Sequence, residues 1–355
     1  MNNPRLSICI ATYNRADVIG QTLESIISQA TDEVEIIIVD GASPDDTETV
    51  VQRYKAQCPQ LRYHRLPVKG GVDRDYCHAV SFATGAYCWL LTDDDILKSG
   101  AIKTILDLLP RNYSLIVVNA EVRDRSLSQL VETKHLHIDN DTVYQPSSWE
   151  AFFINTVSYL SFIGAVVIDR ALWNERIKEP YIGTDFIHIG VIFQKELPNG
   201  AFVMAEPCLS IRYGNAQWTS RHFAIWMIQW PDLIWSFSNL SNAAKSRICP
   251  KHPWNSLQTL LLMRAYGAYS LAEYNRFIEA RLDSYWRLFM AKVVAIIPGI
   301  IPNFLFASFY IMIGSHDFIV WHSLKTSQFY YRQYIRNILK SLKKVSSSFG
   351  GLKSI

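Results

Sequence analysis

At 355 residues, with 49% hydrophobic and 13% aromatic side chains against 19% charged, the chain is too apolar for a disordered protein and long enough to bury one large domain, or one domain with an appendage. The net charge of +3 names no partner but is unevenly placed: Arg281 to Ile355 hold 10 Lys/Arg and 2 Asp/Glu, a balance of +8 that leaves −5 on the rest. Cys9, Cys58, Cys77, Cys88, Cys208 and Cys249 show neither zinc spacing nor a paired framework, and Leu6-Ser7-Ile8-Cys9-Ile10 is too short for a signal-peptide core, so a reducing compartment and no secretion are expected.

From Leu6 onward short apolar strands alternate with helical segments, the pattern of a mostly parallel sheet with crossover helices. The first strand, Leu6 to Ala11, leads into Thr12-Tyr13-Asn14-Arg15, and Ile19, Leu23, Ile26 and Ile27 then recur at helical spacing. A second strand at Val34 to Val39 ends on Asp40. Ser43-Pro44-Asp45-Asp46 carries helix-start chemistry, with Ser43 as N-cap and Pro44 at the first helical position. A third strand is expected at Leu61 to Leu66. Gly70-Gly71-Val72-Asp73-Arg74-Asp75 opens a third helix, and the strand Tyr87 to Leu91 delivers Asp93-Asp94-Asp95.

Three acids at the end of a buried strand repel one another and raise each other's pKa. A hard divalent cation such as Mg2+ or Mn2+, sharing its oxygen ligands with a substrate phosphate, removes that penalty. Ligand crevices of open parallel sheets lie beyond the carboxyl ends of the strands, so these four polar strand ends are expected to converge on one site. A dinucleotide fold is excluded because no glycine-rich turn follows the first strand, and the chain has no Walker-type glycine loop.

Ile10-Ala11-Thr12-Tyr13-Asn14-Arg15, Ile37-Ile38-Val39-Asp40-Gly41-Ala42-Ser43, Gly70-Gly71-Val72-Asp73-Arg74-Asp75 and Leu90-Leu91-Thr92-Asp93-Asp94-Asp95 together resemble the N-terminal half of a GT-A glycosyltransferase of family 2, over roughly residues 5 to 215. The Gly-Val-Asp-Arg-Asp and Trp-Leu-Leu-Thr-Asp-Asp-Asp stretches most resemble enzymes that build bacterial surface polysaccharide, including the abequosyltransferase-like group. The resemblance implies an α/β GT-A nucleotide-diphospho-sugar transferase fold, Rossmann-like, and a nucleotide-sugar donor. Thr12, Tyr13 and Arg15 would line the nucleotide pocket, Asp40 would hydrogen-bond the base, and Asp73 and Arg74 would close over the nucleotide or diphosphate. Asp93 to Asp95 would be the DxD motif, with Asp95 the leading metal ligand and Asp93 or Asp94 holding ribose or metal-bound water. Many relatives have two consecutive acids where this chain has Asp40-Gly41, which leaves the base of the donor open.

An inverting transfer needs a carboxylate to take the acceptor's proton. By resemblance this base lies about ninety residues beyond the DxD motif, in a loop before a helix, where Tyr181-Ile182-Gly183-Thr184-Asp185-Phe186 stands. Asp185 is the candidate, with capping of the helix Phe186 to Phe193 as its structural alternative. His188 reads as a packed histidine. Arg212, Asn215 and Trp218, after a short strand at Leu209 to Tyr213, suit a diphosphate and a sugar ring. His135 and His137 have same-face strand spacing but no further ligands nearby.

Beyond about Thr219 the chain turns to aromatic-rich helices. Val293 to His316 has no charge and is long enough to cross a bilayer, yet Pro298, Gly299, Pro302 and Asn303 interrupt it, which favours a bent or re-entrant segment in the interface. From Trp321, Lys325, Arg332, Arg336, Lys340, Lys343 and Lys344 alternate with Tyr330, Tyr331, Tyr334, Ile335 and Leu339, a basic amphipathic pattern suited to an anionic membrane surface rather than to nucleic acid. The expected organisation is a GT-A domain over 1–218, a helical extension over 219–283 and membrane-associating helices over 284–355. The expected activity is transfer of one sugar to a polyprenyl-diphosphate-linked saccharide, in O-antigen or similar assembly, at the cytoplasmic face of a bacterial inner membrane by a peripheral or monotopic enzyme. A polyprenyl-phosphate sugar synthase and a catalytically silent nucleotide-sugar-binding scaffold are the alternatives. A processive synthase lacks its Gln-x-x-Arg-Trp motif here.

Overall fold

The computed structural model describes residues 4–215, 219–313 and 318–331. The chain divides into two compact units, one comprising Met1–Ala216 with Asp232–Pro250, the other Gln217–Pro231 with Lys251–Ile355.

The first unit is built on a mixed sheet. Its opening elements are β1 (Leu6–Thr12), α1 (Ile19–Ile27), β2 (Val34–Asp40), α2 (Thr47–Lys55), β3 (Leu61–Arg65), α3 (Val72–Phe82) and β4 (Tyr87–Leu91). The four strands are parallel, with β1 paired to β2 on one side and β4 on the other, and β2 paired to β3. All seven residues of β2 are buried, as a strand covered on both faces requires. Helix α1 buries Ile19, Leu23 and Ile26 at the spacing read from the sequence.

One expectation is corrected here. Helix α2 starts at Thr47, not at Pro44, and Ser43 does not cap it. Ser43 instead accepts the Asn14 N–H at 2.9 Å and donates its own N–H to Asp40 at 2.7 Å, while Asp45 accepts from Ala16 N–H at 2.9 Å. The polar residues after β2 thus tie its end to the turn after β1, and the helix waits until those bonds are made.

The chain continues through β5 (Ile96–Leu97), α4 (Ala101–Leu108), β6 (Leu115–Arg123), β7 (Leu130–Glu132), β8 (Thr142–Tyr144), α5 (Trp149–Leu160), β9 (Val166–Asp169), α6 (Arg170–Glu175), α7 (Ile187–Phe193) and β10 (Ala201–Arg212). The sheet order is β3-β2-β1-β4-β9-β6-β10-β5, with β9 antiparallel to both β4 and β6. Strand β10 is longer than the Leu209 to Tyr213 segment expected. Pro207 lacks an N–H for the ladder, and the pairing with β6 shifts register on either side of it, so the sequence reads as a break where the strand only bulges. Because the chain leaves β1 for β2 and β3 on one side and returns to β4 on the other, the order reverses between β1 and β4. Crevices for ligands form at such a reversal.

In the second unit a core gathers Phe223, Trp254, Leu260, Tyr269 and Val294. The helices Tyr285–Ile296 and Ile300–Ile313 are bent by 88° at Pro298-Gly299. The bend is held from inside: Arg264 Nε donates to the Ile297 carbonyl at 2.8 Å, and buried Asn303 donates to the carbonyls of Ala265 and Leu324, both at 3.0 Å. Among the described residues no single helix is long and apolar enough to cross a membrane, whereas this bent pair is, by length and composition. The basic residues Arg332, Arg336, Lys340, Lys343 and Lys344, with Tyr334, Ile335 and Leu339, lie outside the described residues.

Candidate functional site

The site forms where β1 and β4 end. Arg15, in the turn after β1, points its guanidinium at the acid cluster: Nε lies 3.2 Å from Asp93 Oδ1 and Nη2 3.5 Å from Asp94 Oδ2, while Nη1 donates to the Asn215 carbonyl at 3.0 Å. Asn215 closes the ring by donating its amide to Asp94 Oδ2 at 3.0 Å. Three distant stretches of chain thus meet at one cation and three acids.

Burial alternates along the cluster, with Asp93 and Asp95 buried and Asp94 half-buried, as an extended segment dictates. Burial, opposed by Arg15 and reinforced by Asp94, pushes the Asp93 carboxyl up to about 7. Burial and the charge of Asp94 raise Asp95 to about 7 as well, although Thr92 and the Arg212 N–H donate to it. Arg212 is itself buried and spends its donors inside the protein, on the carbonyls of Asp94 and Arg125 and on Gln21 Oε1. It braces the acid loop from behind.

Two buried carboxyls poised to take up a proton are a donor set that a hard cation suits. No group of three or more His, Cys, Asp or Glu side chains is arranged among the described residues as a metal cage. Asp93 and Asp95 are two hard oxygen donors, and an ion held by them would complete its shell with phosphate oxygens and water, the habit of Mg2+ and Mn2+ in nucleotide sites.

The strand ends around this cluster carry local strain. Asn14 and Ala42 have φ of 58° and 65°, unusual for residues with a side chain, in the turns after β1 and β2. Thr12 ends β1 buried, its carbonyl accepting the Gly41 N–H at 2.9 Å, and Lys69 Nζ sits 3.5 Å from the centre of the Tyr13 ring. Asp40 is wholly buried and bound within the fold: Oδ1 accepts from Ser43 N–H at 2.7 Å, and Oδ2 from the Tyr63 hydroxyl at 2.5 Å and Arg65 Nη1 at 3.2 Å. Arg74 is exposed on the first turn of α3, without an ion pair among the described residues.

Asp73 does something the sequence did not announce. From the first turn of α3 its buried carboxylate accepts three backbone N–H groups of one loop, from Gly183 at 2.8 Å, Asp185 at 2.9 Å and Ile187 at 3.0 Å. Burial outweighs those bonds, and the nearby Asp185 charge adds to it, so the Asp73 carboxyl titrates above its ordinary range. The loop needs such a clamp because Gly183 and Asp185 both have positive φ, 90° and 66°. The Ile187 N–H at the start of α7 is satisfied by Asp73, so the capping function considered for Asp185 belongs to Asp73.

His188 is buried, bonded through Nε2 to the Leu160 carbonyl at 2.8 Å, and held neutral because burial lowers its pKa to about 4. His135 and His137 both face Glu132, at 2.8 and 3.2 Å. Trp218 lies outside the described residues.

Residues 7–160 match the family described as Glycosyl transferase family 2. Abequosyltransferase RfbV of Salmonella typhimurium is 25% identical over 287 residues, a match that covers 74% of this chain and 84% of that protein. The GalNAc(5)-diNAcBac-PP-undecaprenol beta-1,3-glucosyltransferase of Campylobacter jejuni is 29% identical over 184 residues, covering 51% of this chain and 57% of that one. The crystal structure of S. aureus TarS 1-349 in complex with UDP superposes with a TM-score of 0.51 over 93% of this chain and 91% of its own; at 16% identity this likeness concerns the fold alone.

Proposed function

We propose that this chain, whose residues 7–160 match a family 2 glycosyltransferase domain and whose fold is that of GT-A enzymes, is a glycosyltransferase that moves one sugar, with inversion, from a nucleotide-sugar donor to a lipid-linked saccharide at a membrane surface. The observation that carries this reading is the strand-end cluster: Asp93 and Asp95 buried with raised pKa values, and Arg15 joining Asp93 and Asp94 to Asn215. Such a cluster is costly to the fold and suited to a metal-bound diphosphate.

In the proposed reaction the Asp185 carboxylate takes the proton from the acceptor hydroxyl as its oxygen attacks the anomeric carbon from the face opposite the leaving group. The new glycosidic C–O bond forms as the bond to the diphosphate breaks, and the pair of electrons leaves with the nucleoside diphosphate. Single displacement inverts the centre without a covalent enzyme intermediate. Mg2+ or Mn2+, held by Asp95 and Asp93, would supply neutralisation of the departing diphosphate. Asp73 fixes the loop that carries Asp185, and Arg212 and Arg15 fix the acids. The similarity to the Campylobacter jejuni enzyme, a glucosyltransferase named for an undecaprenol-linked glycan, supports a lipid-linked acceptor.

Membrane association rests on the second unit. Of the sixteen large hydrophobic residues that stand exposed among the described residues, ten fall between Tyr285 and Met312, including Trp286 at 68%, Leu305 at 62% and Met312 at 77%. Leu305, Phe309 and Met312 share one helix face. Replacing Leu305 and Phe309 together by serine is expected to lower co-sedimentation with vesicles containing anionic lipid at least tenfold. Retained co-sedimentation of the variant would count against the bent pair as the contact.

The activity is tested by offering a panel of nucleotide sugars and a lipid extract to the full chain with Mg2+ or Mn2+. Turnover of one donor that EDTA abolishes supports the reading. Metal-dependent donor binding with no turnover on any acceptor would favour the silent scaffold.

A further inference from the structure

Asp75 stands on the first turn of α3, 4% exposed, and its Oδ1 is buried with no hydrogen-bond partner. A carboxylate left like this inside a fold normally has work outside it, because an unpaired acceptor is what folding eliminates. Its position is defined by two glycines. A Cβ built on Gly41 would lie 2.8 Å from Asp75 Oδ2, and one on Gly70 would lie 3.1 Å from Oδ1. The carboxylate therefore fills the space that a side chain at position 41 would enter.

Position 41, directly after Asp40, is a glycine where the resemblance to family 2 implies a second acid. Asp40, the acid retained, has its carboxylate bound by Ser43, Tyr63 and Arg65. The second acid is supplied in space from α3, beside the strand end where Thr12 pairs with Asp40. Burial and repulsion from Asp40 push the Asp75 carboxyl up to about 6, against the pull of Lys69. That same Lys69 lies over the Tyr13 ring, so an aromatic face, a cation and an unused acceptor border one corner of the crevice.

We propose that Asp75, rather than Asp40, is the residue that reads the nucleobase of the donor, its carboxylate accepting a base N–H while Lys69 donates to a neighbouring carbonyl. The inference rests on the donor-site reading above and names the specificity residue within it. A carboxylate can only accept and an ammonium only donate, so the pair matches a base edge with an N–H beside a C=O, as in uracil or guanine. Adenine, which has no carbonyl, is the poorest match.

The test is calorimetric titration of UDP, CDP, GDP and ADP, with Mg2+, into the full chain and into Asp75→Ala, Asp75→Asn and the double variant Asp75→Ala/Gly41→Asp. In the wild type UDP or GDP is expected to bind best and ADP worst, and best binding by CDP or ADP overturns the assignment. Asp75→Ala and Asp75→Asn should each weaken the preferred nucleotide at least tenfold and ADP less than threefold. The double variant should recover part of the preference, because once Asp75 is truncated the nearest remaining neighbour of a Cβ at position 41 is the Thr12 carbonyl at 3.7 Å, an ordinary contact. Asp75→Asn is nearly isosteric and keeps the test valid if the alanine variant fails to fold. Equal binding of all four nucleotides by the wild type, or a base preference unchanged in Asp75→Asn, overturns the assignment. If no nucleotide binds the wild type, the donor-site reading itself falls.

Discussion

Asp95→Asn is expected to lower sugar transfer by about a thousandfold or more, roughly 4 kcal/mol of barrier, while making the metal-free protein more resistant to heat at pH 7.5. Both effects come from the same charge. Asp95 is buried beside Asp94 and Asp93, and its carboxyl is raised to about 7. Asparagine keeps its contacts, since its oxygen can accept the Arg212 N–H and its amide can donate to Thr92. What it loses is the anion that a metal would need and that the metal-free fold tolerates badly.

The sign follows from proton linkage. An acid whose folded pKa lies above the ordinary Asp value near 4 holds more protons in the native state than in the unfolded chain. Its contribution to stability is present at low pH and is lost as pH rises through that window to about 7. Melting temperature in EDTA should therefore decline from pH 5 to pH 8 in the wild type and decline less in Asp95→Asn. At pH 7.5 the variant should melt a few degrees higher, at about 2–4 °C per kcal/mol for a domain of this size. Mg2+ or Mn2+ should restore the wild type at pH 7.5 and do little at pH 5, where protons occupy the same oxygens. Parallel pH profiles for the two proteins would remove the cluster as a store of electrostatic strain, and an active Asp95→Asn would remove it from the reaction.

The sequence made the strand ends readable and their partners much less so. Thr12, Asp40 and Asp93 to Asp95 each follow a short apolar run, and because consecutive parallel strands place their carboxyl ends together, position in the chain implied position in space. The bend in the second unit was also legible, since Pro298-Gly299 interrupts the run and Asn303 must find partners if buried, although Pro302 proves to sit in the first turn of the following helix, where a missing N–H costs nothing. The contacts of Asp73 with Gly183, Asp185 and Ile187 span more than a hundred residues, and no local pattern predicts which of several acids near a helix start will face another loop. The use of Asp40 inside the fold depends on Tyr63 and Arg65 arriving from β3. Val166 to Ile168 in β9 and Leu115 to Val118 in β6 are short uninterrupted apolar runs that periodicity alone cannot orient, which is why the antiparallel insertion between β4 and β6 was not foreseen.

The second large effect separates the proposed base, Asp185, from the residue that holds its loop. Asp185→Asn should reduce kcat by about a thousandfold, within the 10²–10⁴ range of general-base catalysis, with the donor KM within threefold of wild type and no loss of thermal stability. Asp73→Ala should reduce both. It strips the acceptor from three N–H groups in a loop whose residues 183 and 185 already hold positive φ, and each buried donor left unpaired costs about 1–3 kcal/mol. Asp73→Asn retains one acceptor oxygen but presents an amide to the remaining N–H groups, so it should fall between, with kcat down about tenfold to a hundredfold if loop position limits proton transfer. Single-turnover rates and melting curves on the three variants distinguish the roles, since a base changes rate alone and a clamp changes rate and stability together. Near wild-type turnover in Asp185→Asn would point to an acceptor that is already an anion, as a polyprenyl phosphate is, and the loop held by Asp73 would then be an acceptor-binding segment with no proton to remove.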